Sequence, residues 1–284
     1  MNFVNIIEEI EKVDGEIYER LNPRRAAMKS LFGMGKKISV AALPMAMGAM
    51  FQKAYGQTTP TAVNEVLNFA LSLEYLEYHL YNHALVAAPT LTLSASQRAD
   101  LTVIRDHELA HVNLLKGALG TAARPEITYA MTDFTAGGTF NTVYSDTVTF
   151  LKVALGFEDT GVRAYKGQAG NLLLNPVLKT ALQIHSVEAR HAAHIRTMLL
   201  AAGATGLKPW ITLGPNGIGN DTGVAAVNAV YAGEETTSQA GFSISGIATG
   251  VTPAIAAESF DEPLAKANVV QIANLFLKDG NKLS

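Results

Sequence analysis

Two short stretches of the chain share one pattern, in which a glutamate is followed three residues later by a histidine. They are Glu108–His111 and Glu188–His191. Each lies in a segment whose apolar residues recur with the spacing of an α-helix. Positions i and i+3 lie on the same face of a helix, so each stretch directs a carboxylate and an imidazole to the same side. The pattern predicts two helices that each bring such a pair to one place in the fold.

Each pair is preceded by a further glutamate on a helix of its own. Glu74 lies 34 residues before Glu108, and Glu158 lies 30 residues before Glu188. Single glutamates from two helices, with Glu-x-x-His segments from two others, form the ligand set of a carboxylate-bridged di-metal site in a four-helix bundle. The sequence therefore predicts such a bundle with ligands in its core. The predicted ligands are Glu74, Glu108, His111, Glu158, Glu188 and His191.

The first and third helices share a second pattern, a tyrosine seven residues after the glutamate. Tyr81 follows Glu74 and Tyr165 follows Glu158, so each tyrosine is predicted two turns above its own glutamate on one face. The repeat indicates two related helical hairpins. We expect both tyrosines to be core aromatics with hydrogen-bonded hydroxyls rather than redox relays. Glu77 is an alternative ligand on the first helix, but Glu74 fits the apolar stripe and the tyrosine spacing better.

Four further polar residues lie close to the predicted ligands in sequence. Asp159 points about 100° away from the preceding glutamate on a helix, which favours a place outside the ligand set. His107, directly before the first Glu-x-x-His segment, is expected to point off the site. His185 and His194 each lie one turn from the second segment. They are expected either to hold a ligand by a hydrogen bond or to be partly exposed on the helix.

The predicted fold class is all-α, a four-helix bundle in residues 60–203. Ser94 and Gln97 predict a capping box at the start of the second helix. Residues 120–144 have no clear period, and so long a connection suits a crossover between parallel helices 2 and 3 along the bundle. The four predicted helices span about residues 61–87, 95–119, 145–168 and 176–202.

Residues 204–284 differ in composition from the predicted bundle. They are rich in glycine, threonine, alanine and serine up to about residue 255. This composition predicts an ordered, loop-rich C-terminal extension that packs on the bundle, with a short helix near 223–232 and a last helix over about 264–278.

Residues 1–56 have the features of a twin-arginine export signal. The pair Arg24-Arg25 precedes an apolar run over residues 38–51, and small residues end the segment before Gln57. The run is too short to span a bilayer comfortably, so no stable membrane span is expected after processing. We therefore expect a periplasmic or otherwise exported protein. Because the segment before the arginines is long, the alternative is a hydrophobic helix that the folded protein retains.

Composition restricts the chemistry of the site. The chain has no cysteine, which excludes disulfides, thiolate ligands and iron–sulfur clusters. Nitrogen and oxygen ligands remain, and these suit iron, manganese or zinc. The net charge of −3 gives no electrostatic reason to expect nucleic acid as a partner.

Together these residues resemble the ferritin-like superfamily, which includes ferritin, bacterioferritin and rubrerythrin. Within it, residues 67–81, 188–196 and 260–264 look more like one branch, the bacterial ferritin-like domain proteins related to plant desiccation-associated proteins. The resemblance covers roughly residues 60–278. It implies that the six predicted ligands hold two iron ions, with dioxygen or peroxide as reaction partner. The C-terminal extension differs from cage-forming ferritins, so a 24-subunit shell is not expected, and a dimer is one option.

Two hypotheses for the function follow. The first is an exported ferritin-like protein with a di-iron site, or another di-metal site, that acts in iron oxidation and handling or in oxidative or desiccation stress. The alternative is a non-catalytic structural or protective bundle with a vestigial metal site. Oxidase or peroxidase activity stays open, and the sequence assigns no catalytic residue.

Overall fold

A computed structural model describes residues 60–213 and 219–284 of the chain. The predicted export signal in residues 1–56 lies outside the described residues. Four long helices dominate: α1 (Pro60–Val86), α2 (Ala95–Leu119), α3 (Thr147–Ala169) and α4 (Val177–Ala201). Helix α1 packs chiefly on α2, and α3 packs chiefly on α4. The structure is therefore a bundle of two helical hairpins, which confirms the all-α fold class.

The two hairpins meet along α1 and α3, which run in opposite directions. Tyr81 on α1 contacts Glu158 on α3, and Glu74 on α1 contacts Tyr165 on α3. Since α1 and α2 form an antiparallel hairpin, α2 and α3 run in the same direction. The connection between α2 and α3 must therefore travel the length of the bundle, as predicted for a ferritin-like topology.

Helices α1 and α3 are buried on nearly all sides over their central turns, whereas α2 and α4 are amphipathic. Nearly every residue of 67–81 on α1 and of 150–165 on α3 is buried. A helix that is covered all round lies in the interior of a fold. The crossover and the C-terminal extension cover the faces of α1 and α3 that α2 and α4 leave free.

The helix ends follow the local sequence. Ser94 accepts a hydrogen bond from the Gln97 N–H at 3.1 Å, and the Gln97 side chain accepts one from the Ser94 N–H at 2.9 Å. This confirms the predicted capping box. Asp146 accepts a hydrogen bond from the Thr149 N–H at 2.7 Å and so begins α3. Helix α4 is followed by Gly203, whose φ of 98° favours glycine.

The crossover between α2 and α3 is attached to the end of the C-terminal extension. It contains two short 3₁₀ turns, Gly120–Ala122 and Tyr129–Met131. The Asp133 N–H donates to the Phe276 carbonyl at 2.8 Å, and the Lys278 N–H donates to the Met131 carbonyl at 3.0 Å. These two bonds satisfy backbone groups in a long connection that contains little regular structure.

The extension contains a 3₁₀ helix (Ala225–Tyr231), a two-stranded antiparallel sheet of β1 (Ser238–Gln239) and β2 (Phe242–Ser243), and helices α5 (Pro253–Ala257) and α6 (Lys266–Asn274). Helix α6 is shorter at both ends than the predicted 264–278. The Leu264 N–H donates to the Arg163 carbonyl at 3.1 Å, and Leu277 bridges to Thr132 on the crossover. These tertiary contacts replace the helical hydrogen bonds. In the described ranges, no helix is long and apolar enough to cross a membrane.

Candidate metal centre

All six predicted ligands lie together in the middle of the bundle. On α2 and α4, they occupy positions in a buried stripe that apolar residues fill in the turns on either side. The four glutamates are 0% exposed, and both histidines are buried. The α2 stripe consists of Leu101, Ile104, Glu108, His111, Val112, Leu115 and Leu119.

The imidazole of His111 faces three carboxylates from three helices. Its Nδ1 atom lies 3.1 Å from Glu74 Oε2, 3.1 Å from Glu108 Oε2 and 3.2 Å from Glu188 Oε1. A ring nitrogen carries at most one proton, so it can satisfy only one of these oxygens well. The remaining oxygens are left close together in the interior.

The imidazole of His191 repeats this arrangement on the other side. Its Nδ1 atom lies 2.8 Å from Glu108 Oε1, 3.2 Å from Glu158 Oε2 and 3.5 Å from Glu188 Oε2. Glu108 and Glu188 therefore offer one oxygen to each histidine, while Glu158 faces only His191. The result is two overlapping groups of four ligand atoms, with the atoms of each group within 4.8 Å of one another.

The shared glutamates also carry oxygens that lack a hydrogen-bond donor. Across the described residues, six buried side-chain polar atoms have no hydrogen-bond partner, and three of these are Glu108 Oε1, Glu188 Oε1 and Glu188 Oε2. They lie near imidazole nitrogens but without hydrogen-bond geometry. An unsatisfied buried polar group costs about 1–3 kcal/mol, and more if it is charged. Two cations held between the shared glutamates would satisfy these oxygens, so the residues present fit a di-metal site.

Burial and mutual repulsion shift the protonation of the cluster. Burial, together with the charge of Glu188, raises the pKa of Glu74 to about 8. Burial also raises the pKa of Glu158 well above its usual range. Burial alone would raise the pKa of Glu188, but the nearby imidazoles of His111 and His191 outweigh it and lower the value to about 2. Without a metal, protons therefore balance part of the carboxylate charge.

Two tyrosines hold the outer glutamates, in a crossed arrangement. The Tyr81 hydroxyl donates to Glu158, and the Tyr165 hydroxyl donates to Glu74. The spacing of seven residues predicts only that each tyrosine shares a helix face with its own glutamate, and the structure shows that its hydroxyl binds a different one. Because α1 and α3 are antiparallel, each tyrosine reaches the glutamate of the other hairpin. Both hydroxyls are hydrogen-bonded within the core.

Glu77, the alternative ligand on α1, lies outside both groups of ligand atoms, whereas Glu74 lies within one. Glu77 is nevertheless only 2% exposed. Its Oε1 atom lies 3.1 Å from the place that a Cβ atom on Gly161 would take. The missing side chain of Gly161 therefore gives this fifth carboxylate its space. Burial, followed by the charge of Glu188, raises the pKa of Glu77 well above its usual range.

The prediction that His107 points off the site is wrong. Its Nδ1 atom lies 3.0 Å from Nε2 of His191, and the two rings are stacked with 14° between their planes. His107 thus supports the ring of a predicted ligand from behind, as residues around metal ligands often do. The sequence carried a signal for this: His107 lies one turn before His111, on the same side of α2.

His185 and His194 have no direct hydrogen bond with the ligands. His185 Nδ1 lies 2.9 Å from the carbonyl oxygen of Val162, and the exposed His194 pairs with Asp100 at 3.2 Å. For His194 the structure therefore supports an exposed histidine on the helix.

Asp159 belongs to a separate buried cluster, which we call the Asp159 cluster: Asp159, Arg196, Asp221 and Tyr231. Arg196 donates two hydrogen bonds to Asp159, at 2.8 and 2.7 Å, and one to Asp221 at 2.7 Å. The Tyr231 hydroxyl donates to Asp159 at 2.8 Å. Every carboxylate here thus has a cation from the chain itself. No local sequence pattern pairs Arg196, Asp221 or Tyr231 with Asp159.

Comparison with protein families agrees with this geometry. The family model of the ferritin-like domain matches residues 62–201, which span α1 to α4. The chain therefore contains a ferritin-like domain, and the match supports the ferritin-like superfamily. No curated protein and no solved structure matches the chain.

Proposed function

We propose that the protein is an exported ferritin-like protein that binds two iron ions, with manganese or zinc as the other ions that its donor set accepts. The observation that carries the proposal is the pair of overlapping ligand groups that share Glu108 and Glu188. Such shared carboxylates, with one imidazole on each side, are the arrangement that four-helix bundles use for a metal pair.

The roles of the side chains follow from their positions. Glu108 and Glu188 belong to both ligand groups and would help to hold both ions. Glu74 and His111 would complete one group. Glu158 and His191 would complete the other. Tyr81 and Tyr165 fix the outer carboxylates, and His107 fixes one imidazole. The surrounding apolar side chains exclude water. Bound iron supplies redox chemistry toward dioxygen or peroxide.

We place this chemistry in iron oxidation and handling, or in protection against oxidative or desiccation stress, in the periplasm. The similarity of residues 67–81, 188–196 and 260–264 to the desiccation-related branch supports this role. The features of residues 1–56 support export by the twin-arginine route. A dimer is the assembly we propose to examine first.

Metal loading tests the site. The purified chain is loaded with Fe(II) without oxygen, freed of unbound metal and analysed for iron. We expect two irons per chain, and oxidation by dioxygen or peroxide faster than that of Fe(II) in buffer. Well under one metal per chain would instead favour the alternative, a non-catalytic structural or protective bundle.

Export is tested separately. N-terminal sequencing of the native protein is expected to give a start near Gln57. Replacing Arg24 and Arg25 with lysine should retain the precursor in the cytoplasm. A native protein that begins at Met1 would show that the hydrophobic run is retained.

A further inference from the structure

A cavity of about 210 Å³ lies between the four helices on one side of the metal centre. The first half of α1, the start of α4 and the ends of α2 and α3 line it. The lining side chains are apolar except for Tyr165, Gln168 and Thr180, and none is charged. An engineered apolar protein cavity of about 150 Å³ stays dry and binds benzene. The cavity in this bundle is larger, so it has room for an aromatic ring or a short alkyl chain.

The opposite half of the bundle is packed differently. Large apolar side chains, each at most 1% exposed, fill the space between the helices there. Protein interiors are normally close-packed, and an unfilled cavity lowers stability. Water finds few hydrogen-bond partners in an apolar cavity, so an apolar occupant is favoured. The side chains that fill the opposite half include Leu80, Leu101, Phe150, Leu151, Ile195 and Leu199.

The side chain of Tyr165 lies between the cavity and the metal centre. Tyr165 forms part of the cavity wall, and the hydroxyl of the same residue donates to Glu74. Ala70 and Leu73, in the turn of α1 before Glu74, line the cavity as well. A molecule in the cavity therefore contacts the residue that orients a predicted ligand.

The cavity also has a route to solvent, between α2 and α4. Leu114 and Ala118 on α2 are exposed, and Val177 and Thr180 on α4 are half-buried, while all four line the cavity. The mouth is apolar on both sides, apart from the hydroxyl of Thr180. This entrance admits an uncharged molecule and gives a charged one no partner.

We propose that this cavity binds an uncharged, hydrocarbon-like small molecule, which enters between α2 and α4 and contacts Tyr165 beside the metal centre. The closeness of this ligand to a metal pair rests on the proposed function. The binding of the apolar molecule itself does not.

Toluene serves as the probe, and thermal unfolding of the chelator-treated full chain is the measurement. At about ten times its Kd, toluene is expected to raise Tm by about 3–5 °C. Benzoate, which has the same ring with a carboxylate, is expected to give no shift, because its charge has no partner in the cavity. An absent or unsaturable toluene shift would overturn the proposal.

Filling variants show where the probe binds. Ala181→Leu and Ala70→Leu place extra methyl groups in the cavity from two different helices, so either one that folds is sufficient. Each is expected to abolish the toluene shift and to raise Tm without toluene, because it fills empty space. The matched control is Ala84→Leu, at a buried alanine of the packed half, which should lower Tm but keep the toluene shift. A toluene shift that survives in a folded filling variant contradicts the proposal.

Two further readouts separate this proposal from its alternatives. A toluene shift that changes with protein concentration would assign the apolar mouth to an interface between two copies and would overturn it. In protein loaded with Co(II), toluene is expected to change the visible spectrum, and Tyr165→Phe should reduce that change. If toluene binds to protein that takes up no metal, the cavity site stands and the proposed metal function fails.

Discussion

Glu158 and Asp159 are neighbours on α3 and both are buried, yet they belong to clusters that differ in how the buried charge is neutralised. Asp159 receives two hydrogen bonds from Arg196 and one from Tyr231. Glu158 receives its hydrogen bonds from Tyr81 and His191, and it faces a group of further carboxylates. One cluster is complete within the chain, and the other has more acceptors than donors.

Buried oxygens without a hydrogen-bond donor distinguish a binding site from a structural cluster. A buried carboxylate that is paired with arginine is already stable, and breaking the pair leaves an uncompensated charge. A group of buried carboxylates with orphaned oxygens is unsatisfied until a cation arrives. Removing a residue from the Asp159 cluster should therefore damage the fold, whereas removing one from the metal centre should damage binding.

The largest effect is expected from Arg196→Met. This change leaves Asp159 and Asp221 buried without their cation, so the free energy of unfolding should fall by about 3–5 kcal/mol. Urea denaturation measures it. Arg190→Met, at an exposed position of the same helix, is the control and should stay within about 0.5 kcal/mol of the parent. A loss below 1 kcal/mol in Arg196→Met would contradict the view that the Asp159 cluster stabilises the fold.

The next effect concerns metal and the shared glutamates. Free Fe(II) at about 100 times Kd should stabilise the parent by about 2.7 kcal/mol, which corresponds to a Tm increase of about 5–10 °C. Glu108→Ala and Glu188→Ala should abolish stable binding of the metal pair and lose this increase. Both should still fold without metal, because their helices are held by apolar stripes. Two metals bound in both variants would refute the ligand assignment.

A smaller effect is expected from Tyr165→Phe and Tyr81→Phe. Each removes the hydroxyl that orients an outer glutamate, so metal affinity should fall about tenfold. Competition with a coloured chelator measures the affinity. Tyr231→Phe removes a hydroxyl from the Asp159 cluster and is the matched control, which should lower stability but leave metal affinity unchanged. Equal losses of affinity in all three variants would indicate a general loosening of the bundle.

The smallest effect is the dependence of metal affinity on pH. Burial raises the pKa of Glu74 to about 8 in the metal-free protein, so this carboxyl is protonated at pH 7 and the ion must displace the proton. From pH 8 to pH 7, affinity should fall by up to about tenfold for this one proton. It should continue to rise above pH 8, because burial, which lowers the pKa of His191, is outweighed by the charge of Glu158, and the pKa rises to about 12. Titrations in buffers of different ionisation enthalpy count the protons released. Affinity that rises as the pH falls would contradict this direction.

Much of the bundle could be predicted from local patterns. The Glu-x-x-His segments place their residues on one helix face whatever the surroundings. The capping box at Ser94 needs only residues 94–97, and the parallel arrangement of α2 and α3 follows from the length of their connection. Each of these features depends on helical geometry or on chain length, which a sequence displays directly.

The remaining features depend on which elements pack together. Arg196 and Tyr231 reach Asp159 from 37 and 72 residues away, and nothing local pairs them. Glu77 is buried because α3 and the C-terminal extension cover its side of α1. The crossed tyrosines required the antiparallel direction of α1 and α3. No helical period contains this information.

The hydrogen bonds between the crossover and residues 276–278 determine when the crossover can be fixed during synthesis of the chain. Lys278 donates through its side chain to the Ala130 carbonyl, 148 positions earlier, as well as pairing with Met131 through its backbone. A ribosome synthesises the crossover long before these partners exist. The two hairpins can form early from local contacts, but the segment that joins them is fixed only when residue 278 has emerged. The ligands of α2 and α3 are therefore expected to reach their final alignment only after residue 278 has left the ribosome.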